Sequence, residues 1–317
     1  MNTLQLGLGT AAIGRPLYIN IQNKEREPFD LENFKSKGIA VLEIAYKKGI
    51  RYYDTAPGYG LAEQLLLDWV KTKNDPMIEV ATKWGYVYTA NFDPSATIHE
   101  VKDHSLEQLI KQWEVSKELL PNLTTLQIHS ATFDTGVLEN EAVLQKLAQI
   151  KSDYDIRIGI TTSGDNQVDV LKKAMEINID NQPLFDVFQV TYNILEQSLS
   201  SILDILKEKG SRIIIKEGLA NGRLLPNTNF PHYQKMYGLL EQLATKYRVG
   251  IDAVALRFCM QTTEPFMILS GAGDTHQLQE NWKVNDFKLS DEELKQLQFF
   301  GVKSTDYWSE RKQLEWN

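Results

Sequence analysis

Short apolar runs rich in β-branched residues alternate with longer amphipathic stretches along almost the whole chain. The short runs predict β-strands, and apolar residues spaced three or four positions apart predict helices. The predicted strands are residues 4–8, 51–53, 78–82, 123–128, 157–161, 187–190, 212–216 and 267–270. The predicted helices are residues 39–48, 61–71, 101–120, 139–150, 166–177, 199–208, 233–247 and 251–260.

This alternation predicts an α/β fold, a closed (β/α)8 barrel (TIM barrel) of parallel strands rather than an open sheet. Several strands, such as RIIIK at 212–216, are almost continuously apolar, as expected for strands covered on both faces. No linker-like tract or block of like charges divides the sequence, so we expect residues 1–317 to form a single domain.

Two stretches interrupt the alternation: residues 16–36 after the first strand and residues 85–103 after the third. Both are predicted as long loops at the C-terminal rim of the barrel, where barrel enzymes build their active sites. A helical tail is predicted from residue 290. Its aromatic residues Tyr307, Trp308 and Trp316 either cover a pocket or fasten the tail to the barrel.

The composition narrows the classes of partner. The formal net charge is −8, and acidic and basic residues are mixed along the chain, which disfavours a broad nucleic-acid surface because phosphate binding needs clustered cations. The N-terminus lacks the features of a signal peptide, and the longest apolar runs are too short for the ~30 Å core of a bilayer. Cys259 is the single cysteine, which excludes an intrachain disulfide or a cysteine-based metal cluster and suggests a buried thiol. We therefore expect a cytoplasmic protein without nucleic-acid, membrane or metal partners.

Four polar residues fall at or just beyond the ends of three successive predicted strands. Asp54 follows RYY, Tyr59 lies five residues later in DTAPGYG, Lys83 ends IEVATK and His129 ends LTTLQIH. In a parallel barrel these strand ends are neighbours, and they surround one cavity at the C-terminal end of the barrel, here called the bowl. The four side chains are therefore predicted to converge.

The chemical properties of these four residues fit one reaction. A phenol has a pKa of ~10, and a nearby ammonium such as Lys83 typically lowers such a pKa by about 1–3 units. Asp54 is expected to pair with Lys83, and His129 to donate a hydrogen bond to a carbonyl oxygen. The set suits proton transfer to an oxygen whose carbon gains hydride from a cofactor.

Each of these residues also has an ordinary structural interpretation. Asp54 is a reasonable helix cap, Tyr59 a turn residue between two glycines, Lys83 a solvated charge and His129 a hydrogen-bonded structural histidine. The occurrence of all four on consecutive strand ends favours the functional interpretation.

The sequence resembles the aldo-keto reductase superfamily from LGLGT at 6–10 to Glu280 and Asn281, and the DTAxxYG element at 54–60 is the most specific match. The resemblance implies the catalytic tetrad Asp54, Tyr59, Lys83 and His129, with Tyr59 as general acid and base. It implies NAD(P)H-dependent reduction of aldehydes or ketones to alcohols, or the reverse oxidation, including that of sugars. Tyr59, Trp84 and His129 are the substrate-binding residues that it implies.

The resemblance also implies a nicotinamide cofactor extended across the mouth of the barrel. Gln189 matches the residue that binds the carboxamide, Tyr192 the aromatic residue that stacks on the ring, and Gly218 and Leu219 the loop along the pyrophosphate. The full set of implied cofactor positions is Gly9, Thr10, Asp54, Thr162, Gln189, Tyr192, Gly218, Leu219, Ser270, Gly271, Gly273, Asp274, Gln277, Glu280 and Asn281.

Two departures from the family pattern bear on the cofactor. Thr161 and Thr162 stand where relatives have a Ser-Asn pair that grips the carboxamide. NADPH-dependent relatives carry Arg or Lys near the positions of Gly273 and Asp274, where this chain has no cation, although Lys283 is nearby. Family habit favours NADP(H), which we take as the first expectation. Local charge favours NAD(H), because Asp274 repels a 2′-phosphate and suits a ribose hydroxyl.

The predicted pocket wall consists of Arg15, Tyr18, Trp84, Tyr86 and Trp308, which accommodates hydrophobic aldehydes and sugar-like carbonyls alike. Arg15 is either an exposed surface residue or a group that recognises an anionic substrate. Two other functions stay open. One is a non-catalytic, nicotinamide-binding regulatory subunit without turnover. The other is a barrel hydrolase that uses Asp54 with a second carboxylate, for which Glu217 is the nearest candidate.

Overall fold

The computed structural model describes residues 5–17, 29–93 and 95–316. The strands are β1 (Leu6–Gly9), β2 (Tyr52–Asp54), β3 (Glu79–Trp84), β4 (Tyr86–Tyr88), β5 (Glu100–Lys102), β6 (Leu123–Ala131), β7 (Arg157–Thr162), β8 (Asn178–Ile179), β9 (Gln182–Pro183), β10 (Val187–Thr191), β11 (Arg212–Lys216) and β12 (Met267–Ser270). The helices are α1 (Ala11–Gly14), α2 (Leu31–Lys47), α3 (Ala62–Lys73), α4 (Leu106–Ser116), α5 (Glu141–Tyr154), α6 (Gln167–Met175), α7 (Leu203–Glu208), α8 (Gln234–Tyr247), α9 (Ile251–Thr263), α10 (Thr275–Trp282), α11 (Asp291–Gln298) and α12 (Ser304–Lys312).

Eight of these strands form one closed, parallel barrel in the order β1-β2-β3-β6-β7-β10-β11-β12, and β12 pairs back onto β1. The predicted (β/α)8 fold is thereby confirmed. The remaining strands form two antiparallel pairs outside the barrel, β4 with β5 and β8 with β9. No helix in the described part of the chain is long and apolar enough to cross a membrane.

The barrel interior is filled at one level by a small apolar cluster. Its buried members are Tyr52, Ala81, Val187, Ile214 and Leu269. Because side chains alternate between the two faces of a strand, the residue two positions beyond each member also faces inward. This alternation brings Asp54, Lys83, Gln189 and Lys216 to the C-terminal end of the interior, directly above the apolar cluster.

The structure corrects several predicted boundaries, and two helix starts differ most. Helix α2 begins at Leu31 rather than at residue 39, and the Asp30 carboxylate caps it by accepting a hydrogen bond from the backbone N–H of Asn33 at 2.7 Å. The predicted helix at 101–120 begins only at Leu106, where Ser105 is the cap, because Val101 pairs with Val87 in the β4–β5 hairpin. Residues 18–28 of the first predicted loop, including Tyr18, lie outside the described residues.

Glu63 of α3 is a buried carboxyl group beside the strand that carries Lys83. Its Oε1 accepts hydrogen bonds from the hydroxyls of Thr82 and Ser116. Burial raises the pKa of Glu63 to about 7, since desolvation outweighs these hydrogen bonds and the attraction of Lys83. The folded protein therefore keeps a proton here that the unfolded chain, with its ordinary carboxyl pKa of 4.5, releases.

We expect this group to make the protein less stable as the pH rises. The raised pKa of Glu63 stabilises the folded state fully below about pH 4.5, and this stabilisation is lost as the pH rises to about 7. The loss amounts to about 3 kcal/mol of unfolding free energy. Glu63→Gln keeps the acceptor oxygen and cannot ionise, so the variant should gain stability relative to wild type over this range. Urea unfolding of both proteins across the range measures the difference, and a difference independent of pH would contradict the assignment.

Candidate active site

The structure brings Asp54, Tyr59, Lys83 and His129 together at the C-terminal end of the barrel. Asp54 ends β2, Lys83 lies on β3 and His129 on β6. Lys83 Nζ forms an ion pair with Asp54 Oδ1 and donates to the Thr55 carbonyl at 3.0 Å. The same Nζ lies 4.7 Å from the centre of the Tyr59 ring, and Tyr59 Oη lies 3.4 Å from His129 Nε2.

A short 3-10 turn, Pro57–Tyr59, holds the phenol over the lysine. The two glycines that flank Tyr59 are required by close contacts. A Cβ on Gly58 would lie 2.9 Å from the Tyr86 Cβ. Gly60 has a φ of +64°, and a Cβ there would lie 2.5 Å from the Gly14 carbonyl oxygen. The sequence PGYG therefore fixes where the hydroxyl stands.

Asp54 is the centre of the polar network. Lys83 occupies Oδ1, while Oδ2 accepts from Gln189 Nε2 at 2.7 Å and from Gln127 Nε2 at 3.2 Å. The backbone carbonyl of Asp54 accepts from Thr10 N and Oγ1 at 2.9 and 3.0 Å. A buried carboxylate with this many donors is fixed in position, and it fixes the lysine in turn.

The protonation states differ in one respect from the prediction. Burial raises the pKa of Tyr59 well above its ordinary value, and the Asp54 carboxylate adds to the rise, while the Arg15 guanidinium opposes it. The pKa of Tyr59 is thus raised rather than lowered as predicted, because burial of the phenol dominates and the Asp54 carboxylate acts in the same direction. Tyr59 is therefore a phenol that holds a proton, which is the state a proton donor needs.

His129 is a neutral imidazole. Burial lowers its pKa well below the ordinary value, and the charges of Lys83, Arg15 and Lys216 lower it further. Its backbone carbonyl is hydrogen-bonded to His104 Nε2 at 2.9 Å, and its Nδ1 has no hydrogen-bond partner among the described residues. A neutral imidazole beside Tyr59 can orient a carbonyl oxygen without carrying charge into the bowl.

One wall of the bowl comes from the β4–β5 hairpin and the C-terminal tail. The Tyr86 ring lies 4.7 Å from the His129 ring. Arg15 is buried, pairs with Glu100 at 2.6 Å, and lies 5.3 Å from the Tyr59 ring and 4.8 Å from the Trp316 ring. Arg15 is thus not an exposed residue, which corrects that interpretation, and its charge is balanced by Glu100.

Two predicted wall residues lie elsewhere. Trp84 follows the inward-facing Lys83 and points outward into the core between strands and helices, with its ring 5.5 Å from that of His104. Trp308 is buried in the large hydrophobic core, and its ring lies 5.4 Å from the Arg311 guanidinium of α12. Trp84 therefore does not line the bowl, and Trp308 fastens the tail.

Tyr192 is a further correction. On β10, Gln189 and Thr191 face inward, so the next residue faces outward. The Tyr192 ring stacks against Phe258 of α9 at 6.1 Å, and its carbonyl accepts from the buried Cys259 Sγ at 3.4 Å. This placement removes Tyr192 from the surface that a nicotinamide ring could reach.

Other predicted cofactor positions lie at the ends of β7 and β12 and in the loop that follows β11. Thr162 is the last residue of β7, and its Oγ1 is buried without a hydrogen-bond partner among the described residues. Gly271 has open space where a Cβ would stand. Past β11, Glu217, Ala220 and Asn221 all have positive φ values, between 50° and 56°. Such strained backbone is characteristic of ligand-binding loops, and Gly218 and Leu219 lie within this one.

The predicted cofactor positions from Ser270 to Asn281, which the resemblance assigns to the adenosine side of the cofactor, lie around the start of α10 and are called the adenosine-side residues. Asn281 Nδ2 donates to Ser270 Oγ at 2.8 Å, and Gly273 N donates to Gln277 Oε1 at 2.9 Å. The Asp274 carboxylate caps α10 by accepting a hydrogen bond from the backbone N–H of Gln277 at 2.8 Å. Backbone N–H groups at a helix start favour anions, which agrees with a nucleotide site here.

Sequence reasoning missed two polar residues of the bowl, Gln127 and Lys216. Gln127 lies two residues before His129 on the inward face of β6. Lys216 ends β11, and its Nζ donates to Thr191 Oγ1 at 3.1 Å. The signal for Lys216 was available, because it is a polar residue at a predicted strand end, as Lys83 is. By contrast, Glu217 is engaged by Arg311 at 2.6 Å, so it is not available as the second carboxylate of a hydrolase.

The sequence model of the Aldo/keto reductase family matches residues 5–300, and the chain belongs to this family. It is an enzyme, an oxidoreductase of a family that uses nicotinamide cofactors. It is 25% identical to the NADH-specific methylglyoxal reductase of Escherichia coli (strain K12), over 90% of this chain and 91% of the relative. It is 29% identical to the L-galactose dehydrogenase of Arabidopsis thaliana, over 77% and 76% of the two chains.

The solved structure of the glycerol dehydrogenase from Gluconobacter oxydans has the same fold. The two structures match with a TM-score of 0.71 at 21% identity, over 95% of this chain and 92% of the other.

Proposed function

We propose that the protein reduces aldehydes or ketones with a nicotinamide cofactor, with Tyr59 as the proton donor, and that it oxidises the corresponding alcohols in reverse. The observation that carries this proposal is the contact of Tyr59 Oη with His129 Nε2 at 3.4 Å, above a lysine that is paired with Asp54. A substrate oxygen beside this pair, within hydrogen-bond distance of both Tyr59 Oη and His129 Nε2, would meet one proton donor and one orienting group.

The residues divide the work as follows. His129 holds the carbonyl oxygen of the substrate next to Tyr59, and Tyr59 gives that oxygen its proton. Lys83 stabilises the phenolate that remains, and Asp54 keeps Lys83 in place. Gln189 and Thr162 would hold the carboxamide of the cofactor, whose nicotinamide supplies the hydride when it is bound. In the reverse direction, Tyr59 takes the proton from an alcohol.

We propose small, uncharged carbonyl compounds as the substrates, such as methylglyoxal or an aldose. The Arg15 guanidinium beside Tyr59 is offset by Glu100, so this wall offers no unbalanced charge to a carboxylate. Two relatives act, by name, on methylglyoxal and L-galactose. A panel that compares neutral aldehydes and sugars with carboxylated analogues tests this assignment, and higher kcat/KM for the carboxylated members would contradict it.

We propose NAD(H) as the preferred cofactor, which departs from the first expectation. Lys283, the cation nearest to the adenosine-side residues in sequence, pairs with Glu280 at 2.8 Å. Residues 271–282 contain no Lys or Arg, and Asp274 places a carboxylate where a 2′-phosphate would need a cation. A relative that is NADH-specific by name supports the same choice.

We expect NADH to bind at least about tenfold more tightly than NADPH, equivalent to about 1.4 kcal/mol. Asp274→Asn removes the negative charge and retains a side chain that caps helices well. The variant should therefore gain affinity for NADPH and keep its affinity for NADH. Parallel fluorescence titrations measure all four Kd values. Tighter binding of NADPH by the wild type would contradict the proposed preference, and binding of neither dinucleotide would contradict the proposed function.

A further inference from the structure

Lys216 is a cation inside the bowl that the catalytic tetrad does not use. It stands two residues beyond Ile214, a member of the inward-facing apolar cluster, so its side chain rises from the same face of β11. Among the described residues, Nζ makes one hydrogen bond, to Thr191 Oγ1 at 3.1 Å, and no ion pair. An ammonium has three N–H donors, so a single acceptor leaves it under-satisfied.

The carboxylates near Lys216 are each paired with another cation, so the positive charge of Lys216 has no counter-ion among the described residues. Asp54 is paired with Lys83 and also accepts from Gln127 and Gln189. Glu217 is held by Arg311 through three contacts between 2.6 and 3.2 Å. His129 is neutral, because burial lowers its pKa well below the ordinary value. The carboxylates that lie nearest to Lys216 are thus committed to other cations.

Lys216 lies on the side of the bowl where the cofactor is proposed to bind, and not on the side of the substrate wall. Around the barrel, the proposed carboxamide residues lie on β7 and β10, and the proposed pyrophosphate loop follows β11 directly. Lys216 ends β11, between these two groups of residues. The substrate wall of Tyr86 and Arg15 lies at the β2, β3 and β6 side, against Tyr59 and His129.

We propose that Lys216 makes the cofactor site bind the reduced dinucleotide, whose ring is neutral, more tightly than the oxidised dinucleotide, whose ring is cationic. This inference rests on the proposed function. A fixed positive charge in a partly buried site repels a second positive charge and leaves a neutral ring unaffected. A residue that contacted only the phosphates would instead favour both redox forms equally.

The protonation state of Lys216 provides a second way to test the inference, because a change of pH can remove its charge. Burial lowers the pKa of Lys216 to about 8; the Glu217 carboxylate opposes the shift, while Arg311 and Lys83 add to it. Raising the pH through this value removes the charge, so the discrimination against the oxidised form should fade. The charged and titratable groups near this ammonium are Glu217, Arg311, Lys83, Asp54 and His129; Thr191, which bonds it, does not titrate.

The test is the Kd of NAD+ and of NADH, measured by calorimetry or fluorescence without substrate, for wild type, Lys216→Met and Lys216→Arg. For wild type we expect NAD+ to bind about tenfold more weakly than NADH, which corresponds to about 1.4 kcal/mol. Lys216→Met keeps the length of the side chain without its charge and should bring the two Kd values together, mainly through tighter binding of NAD+. Lys216→Arg keeps the charge and should keep the wild-type ratio.

The outcomes separate the inference from the proposed function. An unchanged ratio in Lys216→Met, with both forms bound more weakly, would assign Lys216 to the phosphates and overturn the inference. Absence of binding of any nicotinamide dinucleotide to wild type would overturn the proposed function as well. Should Lys216→Met fail to fold, the wild-type ratio at about pH 6 and about pH 10 decides, since the inference requires it to fall as the amine loses its proton.

Discussion

Replacing Tyr59 with Phe should lower kcat for carbonyl reduction by about 10²- to 10⁴-fold, the usual contribution of a positioned proton donor. Only the hydroxyl is removed. The ring keeps its contacts with Lys83, Arg15 and His129, and the substitution leaves no buried charge unpaired. Cofactor affinity and the unfolding free energy should therefore stay close to the wild-type values.

This prediction is checked by steady-state kinetics beside a cofactor titration of the same preparations. Tyr86→Phe is the matched control, because it removes a phenol hydroxyl from the same wall while its ring lies 4.7 Å from His129. We expect a much smaller loss in the control. Wild-type kcat in Tyr59→Phe, or equal losses in both variants, would exclude Tyr59 as the proton donor.

Replacing Lys83 with Met should reduce kcat to a similar extent and also destabilise the fold. The variant leaves the Asp54 carboxylate buried without its cation, and breaking a buried ion pair on one side typically costs about 3–5 kcal/mol. The amides of Gln127 and Gln189 still donate to Asp54, so the lower end of this range is expected. Asp54→Asn should be milder in kcat if the carboxylate acts only by positioning Lys83.

The double variant Asp54→Asn with Lys83→Met separates the two effects. It removes both charges, so most of the lost stability should return while kcat stays low. Denaturant unfolding and kcat are measured on the wild type, both single variants and the double variant. Together they form a double-mutant cycle, which gives the coupling between Asp54 and Lys83. Recovery of activity together with stability would show that Lys83 has a structural role only.

The sequence was most informative about strands that are buried on both faces. The predicted bounds of β11 and β12 agree with the structure to the residue, because each contains a short run of β-branched and other apolar residues that ends at a polar residue. The start of α2 was missed. It contains Gly38, and an interior glycine disfavours helix by about 1 kcal/mol; here it packs closely on Ile13. The β4–β5 hairpin was missed because its pairing joins distant residues, which local periodicity does not reveal.

In the candidate site, the rule that polar residues at strand ends converge led to Asp54, Lys83 and His129. The same rule does not say which of two adjacent residues faces inward. Trp84 and Tyr192 are one residue out of phase with the inward-facing Lys83 and Thr191, so both point to the helices. Lys216 is in phase with Ile214 and was overlooked. The register of the barrel interior, which only the assembled sheet defines, supplies this information.

The most direct test of the role of Tyr59 is a single turnover. Wild-type and Tyr59→Phe proteins are each loaded with the reduced dinucleotide that binds more tightly and are mixed with excess 4-nitrobenzaldehyde, while the absorbance of the reduced nicotinamide is followed. We expect the wild type to oxidise its bound cofactor and the variant to leave it reduced over the same period. Equal oxidation in both proteins, or none in the wild type, would contradict the proposed chemistry.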